Sequence, residues 1–119
     1  MTEAAASQSC PFCRILSGEM PAKVVYESDH SVAFRDIDPQ APTHVLVIPR
    51  RHVANLAELA AASPDELADV VSGAAIVAQQ DGLDGGYRTV ANTGPDAHQT
   101  VFHAHVHVLG GRTMAWPPG

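Results

Sequence analysis

The chain has 119 residues and a mass of 12.5 kDa, enough for one domain with its own core and too little for a second. With 7 Lys and Arg against 13 Asp and Glu, its formal net charge of -6 excludes a broad, sequence-blind grip on nucleic acid, which needs many cations on phosphates. No apolar run approaches the ~20 residues that span a bilayer, residues 1–9 lack the basic and apolar regions of a secretory signal, and 2 cysteines are too few for a secreted disulfide scaffold, so the expected setting is the cytoplasm, away from membranes.

Residues 1–9 are small, polar and Ala-rich, and read as a disordered leader; residues 10–119 read as a single domain. Cys10–Leu16 reads as a short N-terminal helix stopped near Gly18 and Pro21. Lys23–Tyr26 and Val32–Arg35 are β-rich runs around the turn-like Glu27-Ser28-Asp29-His30, which predicts a hairpin. Asp36–Pro42 is a loop, and His44–Ile48 a β-branched strand closed by Pro49. Asn55–Ala60 forms one short helical turn. The longest helix is expected from Pro64 to about Gln80, with Ser63, Pro64 and Glu66 as N-cap, first-turn proline and capping-box partner. Its apolar face is predicted from Leu67, Val70, Val71 and Ala74. Tyr87–Ala91 and Val101–Leu109 complete five strands, joined by a polar Gly/Pro loop from about Asn92 to Thr100. The expected architecture is α+β, an antiparallel sheet with a helix on one face.

The chain carries 7 histidines, and His103-Ala104-His105-Val106-His107-Val108 alternates strictly. Successive strand side chains point to opposite faces, so the three imidazoles share one face and Ala104, Val106 and Val108 the other. The apolar face suits the long helix, which leaves the imidazoles open to solvent, a ligand or a metal. Three readings follow. A solvated face that happens to hold histidines is the plainest. A three-His metal site is the second, opposed by the ~7 Å between alternate positions of one strand. Nucleophilic and acid–base chemistry is the third, since a neutral imidazole attacks phosphorus or acyl centres without prior deprotonation.

Asn92-Thr93-Gly94 and Gln99-Thr100 bracket the loop that leads into this strand. An amide at Asn92 and a hydroxyl at Thr100 suit phosphate oxygens, although either also serves ordinary turns. His44 adds a fourth imidazole. Asp36 ends a strand at a loop, where its carboxylate either accepts two ribose hydroxyls or caps the turn. Cys10-Pro11-Phe12-Cys13 fits a metal ligand pair, a redox pair or two small buried hydrophobes.

The histidine strand resembles the signature of the histidine triad (HIT) family. Phe34-Arg35-Asp36-Ile37, Pro42-Thr43-His44, Val47-Ile48-Pro49, Ala91-Asn92-Thr93-Gly94, Leu109-Gly110-Gly111-Arg112 and Trp116-Pro117-Pro118-Gly119 resemble its Hint branch, and the resemblance runs from Cys10 to Gly119. It implies an α+β homodimer that binds purine nucleoside monophosphates and hydrolyses the P–N bond of nucleoside phosphoramidates, such as AMP-amine conjugates. His105 then matches the nucleophile that forms a nucleotidyl-histidine. The His103 carbonyl fixes the tautomer of His105, and His107 and His44 donate to phosphate oxygens. Asn92 and Thr100 match residues near the phosphate and leaving group, and Asp36 the ribose carboxylate. Phe12, Ile15, Phe34 and Ile37 match the base pocket, and Trp116 the leaving-group side of the partner's pocket. Many bacterial members also resemble the chain at Cys10, Cys13, His52 and His103, which implies a structural Zn2+ on those four ligands. No organic cofactor is implied.

Two departures from the branch bear on specificity. His98-Gln99-Thr100 stands where Gly-Gln-Ser is usual, and Arg35 replaces a common His beside Asp36. Two other functions suit the same fold: a dinucleoside polyphosphate hydrolase or nucleotidyltransferase, and a nucleotide-binding scaffold dimer with no turnover of its own.

Overall fold

The computed structural model describes residues 9–119. The leader, apart from Ser9, lies outside the described residues. Helix α1 is Pro11–Ser17. Pro11 supplies a ready-made first-turn φ, the Cys10 Sγ accepts the Cys13 N–H at 3.3 Å, and Gly18 ends the helix at φ 85°. Strands β1 (Val24–Glu27) and β2 (Ser31–Arg35) form the expected hairpin, followed by β3 (Thr43–Pro49). Helix α2 is Leu56–Ala62, capped by Asn55, and α3 is Pro64–Gln80. Strands β4 (Tyr87–Val90) and β5 (Val106–Gly110) complete a five-stranded antiparallel sheet of order β1-β2-β3-β5-β4. No described helix is long and apolar enough to cross a membrane.

Strand alternation divides the core. Val45 and Val47 of β3, with Ala33, Val106 and Val108, face α3 and meet Val70, Ala74 and Val77. Leu46 and Ile48, with Val32 and Phe34, face the other way and meet Cys10, Phe12 and Cys13 around α1. Burial on both faces explains why β3 reads as a continuous apolar run. The helix comes close to the sheet at Gly73, where an added Cβ would stand 3.1 Å from the Tyr26 ring and 3.3 Å from Val47.

Several details differ from the sequence reading. Val71 is 58% exposed rather than on the apolar face, because the helix turns its Val70–Ala74–Val77 stripe to the sheet and leaves Val71 on the flank. The capping box is one-sided. Ser63 Oγ accepts the Glu66 N–H, but the Glu66 carboxylate takes two bonds from Arg51, at 3.0 and 2.8 Å. A 3-10 turn at Pro95–Ala97 interrupts the loop before the histidines. The last strand begins at Val106, not Val101. Its ladder with β3 ends at Val47–Val106, and beyond it the Ala104 N–H turns to the Val53 carbonyl, at 2.8 Å. His103 and His105 therefore precede the ladder, and only His107 lies within it.

Candidate active site and metal centre

The three triad rings go to three different places, all on the sheet face opposite α3. His103 is fully buried. Its Nε2 lies 2.8 Å from the Pro49 carbonyl. A carbonyl only accepts, so Nε2 carries the proton and donates, and Nδ1 is left with a lone pair. That Nδ1 faces His52 Nδ1 at 3.1 Å, Cys10 Sγ at 3.4 Å and Cys13 Sγ at 3.5 Å, and Cys13 Sγ lies 3.2 Å from His52 Nδ1. All four ligand atoms fall within 4.8 Å of one another. With Zn–N of ~2.0–2.1 Å and Zn–S of ~2.3 Å, tetrahedral edges are about 3.3 Å for N···N and about 3.5 Å for N···S. The donor set, its spacing and the carbonyl behind His103 fit a tetrahedral thiolate–imidazole metal site. Burial pushes the His103 imidazole down to about 4, which keeps it in the neutral form that a metal requires.

His105 Nδ1 lies 2.7 Å from the His103 carbonyl. By the same logic Nδ1–H donates and Nε2 keeps its lone pair. Burial lowers the pKa of this ring, against the opposing pull of the His103 carbonyl and Asp36. The ring packs edge-on against Phe12, with centroids 5.1 Å apart, and stands 5.0 Å from that of His107. His105 and His107 line a cavity of about 550 Å3. Its other walls include Phe12, Ile15, Phe34 and Leu46, with Asp36, Ile37 and Thr100 around them. Apolar walls with a few convergent polar groups suit a small ligand.

His44 and His107 meet because of register. Leu46 pairs with His107 and His44 with Leu109, so His44 and His107 are diagonal neighbours on one face. His44 Nδ1 accepts the Gln40 N–H at 3.0 Å, which puts the ring proton on Nε2. His44 Nε2–H donates to His107 Nδ1 at 2.9 Å, with Asp36 Oδ2 3.4 Å away. His107 then carries its proton on Nε2 and is itself a donor. Asp36, His44 and His107 lie near enough to hold a metal ion, but a protonated Nε2 on His44 is no ligand; His44 and His107 form a hydrogen-bond relay with the Asp36 carboxylate beside it. Burial and the neighbouring His105 and His44 lower the His107 pKa to about 4.

This depression carries a stability signature. His107 stays neutral in the folded chain down to about 4, whereas an unfolded His titrates near 6.5. Between those values the unfolded chain binds more protons, so stability falls as pH drops. The thermal midpoint is expected to decline steadily from pH 6.5 toward 4. A midpoint that stays level across that window would contradict the buried neutral relay.

Other expected residues are less central. Asp36 caps the turn, its Oδ1 accepting the Asp38 N–H at 2.8 Å, while its Oδ2 faces His44. Ile37 lines the cavity at its rim, where it is fully exposed. Asn92 is half-buried and does not line the cavity. Trp116 is 80% exposed and stands apart from the cavity of its own chain. His98 is exposed in a left-handed conformation, and Arg35 forks onto Asp81.

Sequence reading missed Gln99, whose buried amide accepts the Gly94 N–H and donates to the Ala54 and Val101 carbonyls, clasping the loop before the histidines. It also missed Leu46, although alternation puts Leu46 on the same face as His44.

The chain is similar over most of its length to known proteins. The HIT domain family model matches residues 17–114. A 14 kDa zinc-binding protein of Zea mays is 48% identical over 110 residues, which is 91% of this chain and 86% of that protein. The adenylylsulfatase HINT1 of Arabidopsis thaliana is 46% identical over 110 residues, covering 91% of this chain and 75% of that protein. A crystal structure of a HIT family hydrolase from Legionella pneumophila superposes with a TM-score of 0.89 at 47% identity, covering 93% of this chain and all of that one.

Proposed function

The chain belongs to the HIT family, and on that premise we propose that it is a hydrolase of purine nucleoside phosphoramidates acting through a nucleotidyl-histidine. The observation that carries the reading is the His105 ring, with Nδ1–H held by the His103 carbonyl at 2.7 Å and a bare Nε2 beside the His107–His44 relay. The base lies between Phe12, Phe34 and Leu46, and Asp36 accepts the ribose hydroxyls. His105 Nε2 attacks the α-phosphorus. The P–N electron pair goes to nitrogen, which leaves as the protonated amine. The amine takes one proton from solvent as it leaves; water then attacks phosphorus, the P–Nε2 electron pair returns to His105, AMP is released, and the attacking water returns one proton to solvent. His107 Nε2–H and Thr100 donate to phosphate oxygens throughout, so the charge meets donors already in place.

A zinc ion on Cys10, Cys13, His52 and His103 is structural, because four protein ligands leave no open position for water. When bound, it ties the N-terminal segment to the entry of β5 and supplies no catalytic chemistry. Two cysteines offered as ligands suit a reducing, cytoplasmic setting.

A panel of substrates tests the activity. An AMP-amine conjugate should turn over faster than a diadenosine polyphosphate or adenosine 5′-phosphosulfate. Preference for the polyphosphate or the phosphosulfate would overturn the P–N assignment, and binding without turnover of any would make the chain a nucleotide-binding scaffold.

The working unit is a homodimer. Strand β4 is a sheet edge with Tyr87 44% exposed, and Val71 and Trp116 present further apolar surface. Exposed aromatics of this kind are enriched where chains meet, and a two-fold contact uses one patch twice. Light scattering at micromolar concentration should give twice the chain mass, and a monomer would refute the assembly. A chain ending at Gly111 should keep AMP binding and change its preference among amines, as expected if Trp116 borders the partner's leaving-group side.

A further inference from the structure

We propose that Asp81 is a positioning residue for the nucleotide site, setting the Asp36–His44 pair from the opposite face of the sheet through Arg35 and Thr43. The inference rests on the reading of Asp36 as the ribose carboxylate. Asp81 follows the last turn of α3, and its N–H bonds the Val77 carbonyl at 3.0 Å. Its carboxylate accepts two bonds from the Arg35 guanidinium, at 2.6 and 3.0 Å, and a third from the Thr43 hydroxyl at 2.8 Å. The Asp81 side chain is 17% exposed and that of Arg35 34%, so the fork is partly shielded from water.

Arg35 is the last residue of β2 and Thr43 the first of β3, which makes Asp36 and His44 their immediate neighbours. Alternation sends Arg35 and Thr43 to the α3 side and Asp36 and His44 to the site side. The Asp36 N–H closes the hairpin on the His44 carbonyl at 2.9 Å. One carboxylate on the helix thus grips both strand ends, one residue before each turns a functional group into the site. The loop between them holds the Asp36 and His44 side chains through the Asp38 and Gln40 N–H groups, but the strand ends from which both side chains project are set by Asp81. Arg35 also lines the cavity that holds His105 and an adjoining cleft of about 350 Å3 bounded by Asp36 and His44. Asp81 therefore aligns Asp36 and His44 through the strand residues that precede them. A bidentate guanidinium–carboxylate pair has the geometric specificity for this task.

Calorimetric binding of AMP and 2′,3′-dideoxy-AMP to the full chain tests the proposal. Wild type should prefer AMP by roughly 10- to 100-fold, the range of charge-assisted hydrogen bonds to two hydroxyls. Asp81→Asn should bring that preference to within about threefold of unity while dideoxy-AMP affinity changes little, since only the ribose contact is disturbed. Asp81→Glu should restore part of it. A folded Asp81→Asn protein that keeps the wild-type preference, or loses affinity for both ligands equally, overturns the proposal. Should Asp81→Asn fail to fold, the near-isosteric Thr43→Val, which removes a single bond to Asp81, takes its place, and an unchanged preference there counts against the proposal in the same way. A wild-type chain that binds AMP without preferring it to the dideoxy compound overturns the ribose reading, and the role of Asp81 falls with it.

Discussion

His105→Asn is expected to hydrolyse an AMP-amine conjugate ~10²–10⁴-fold or more slowly than wild type while binding AMP nearly as well. The expectation follows from what the ring does and does not touch. Its Nδ1 is committed to the His103 carbonyl, so Nε2 is the one atom it can offer to phosphorus. Asparagine can still donate to that carbonyl but has no second nitrogen with a lone pair suited to attack. The ligand cavity keeps its other walls, because Phe34 and Leu46 belong to the strand core and Phe12 to α1. Single-turnover kinetics measure the loss, and calorimetry with AMP shows whether the site survives. Near wild-type turnover in the variant would remove His105 from the nucleophile role.

The second large effect concerns the four converging ligands. Protein purified under reducing conditions without chelator should hold about one zinc per chain, as expected of a closed four-ligand site. Cys13→Ser should abolish stoichiometric zinc and lower the thermal midpoint by on the order of 10 °C, because metal-binding energy is part of folding energy. The size reflects what the cluster joins: the N-terminal cap of α1, the segment after β3 and the approach to β5. The sheet and α3 form a separate apolar core, so the variant should still fold. Metal analysis that finds no zinc in reduced wild type, with an unchanged midpoint in Cys13→Ser, would return the cysteines to simple packing.

Much of this was legible in the sequence, for local reasons. Helix α3 announces itself through Ser63, Pro64 and the spacing of Leu67, Val70 and Ala74, and β3 through its unbroken apolar run. The triad was legible as a set of same-face rings. Their separate destinations were implied only by the family resemblance and not by spacing, because they depend on groups distant in sequence: the Pro49 carbonyl behind His103, the Gln40 N–H behind His44 and the pairing of Leu46 with His107. The late start of β5 has the same origin. Alternation in Val101–His105 satisfies a strand pattern, yet the Ala104 N–H finds Val53 rather than a ladder partner. Val71 shows the limit of helical periodicity, since positions 70 and 71 both suit an apolar stripe and only the facing sheet decides between them. Arg35 was visible as a departure from the family pattern, but its partner Asp81 lies 46 positions away.

The central claim is that phosphorus passes through His105. Intact-mass spectrometry of the protein quenched during turnover of an AMP-amine conjugate tests this most directly. The account predicts a transient species heavier by one adenylyl group, mapped by peptide analysis to His105 and absent from His105→Asn. Steady hydrolysis with no such adduct, or an adduct mapped to another residue, would contradict it.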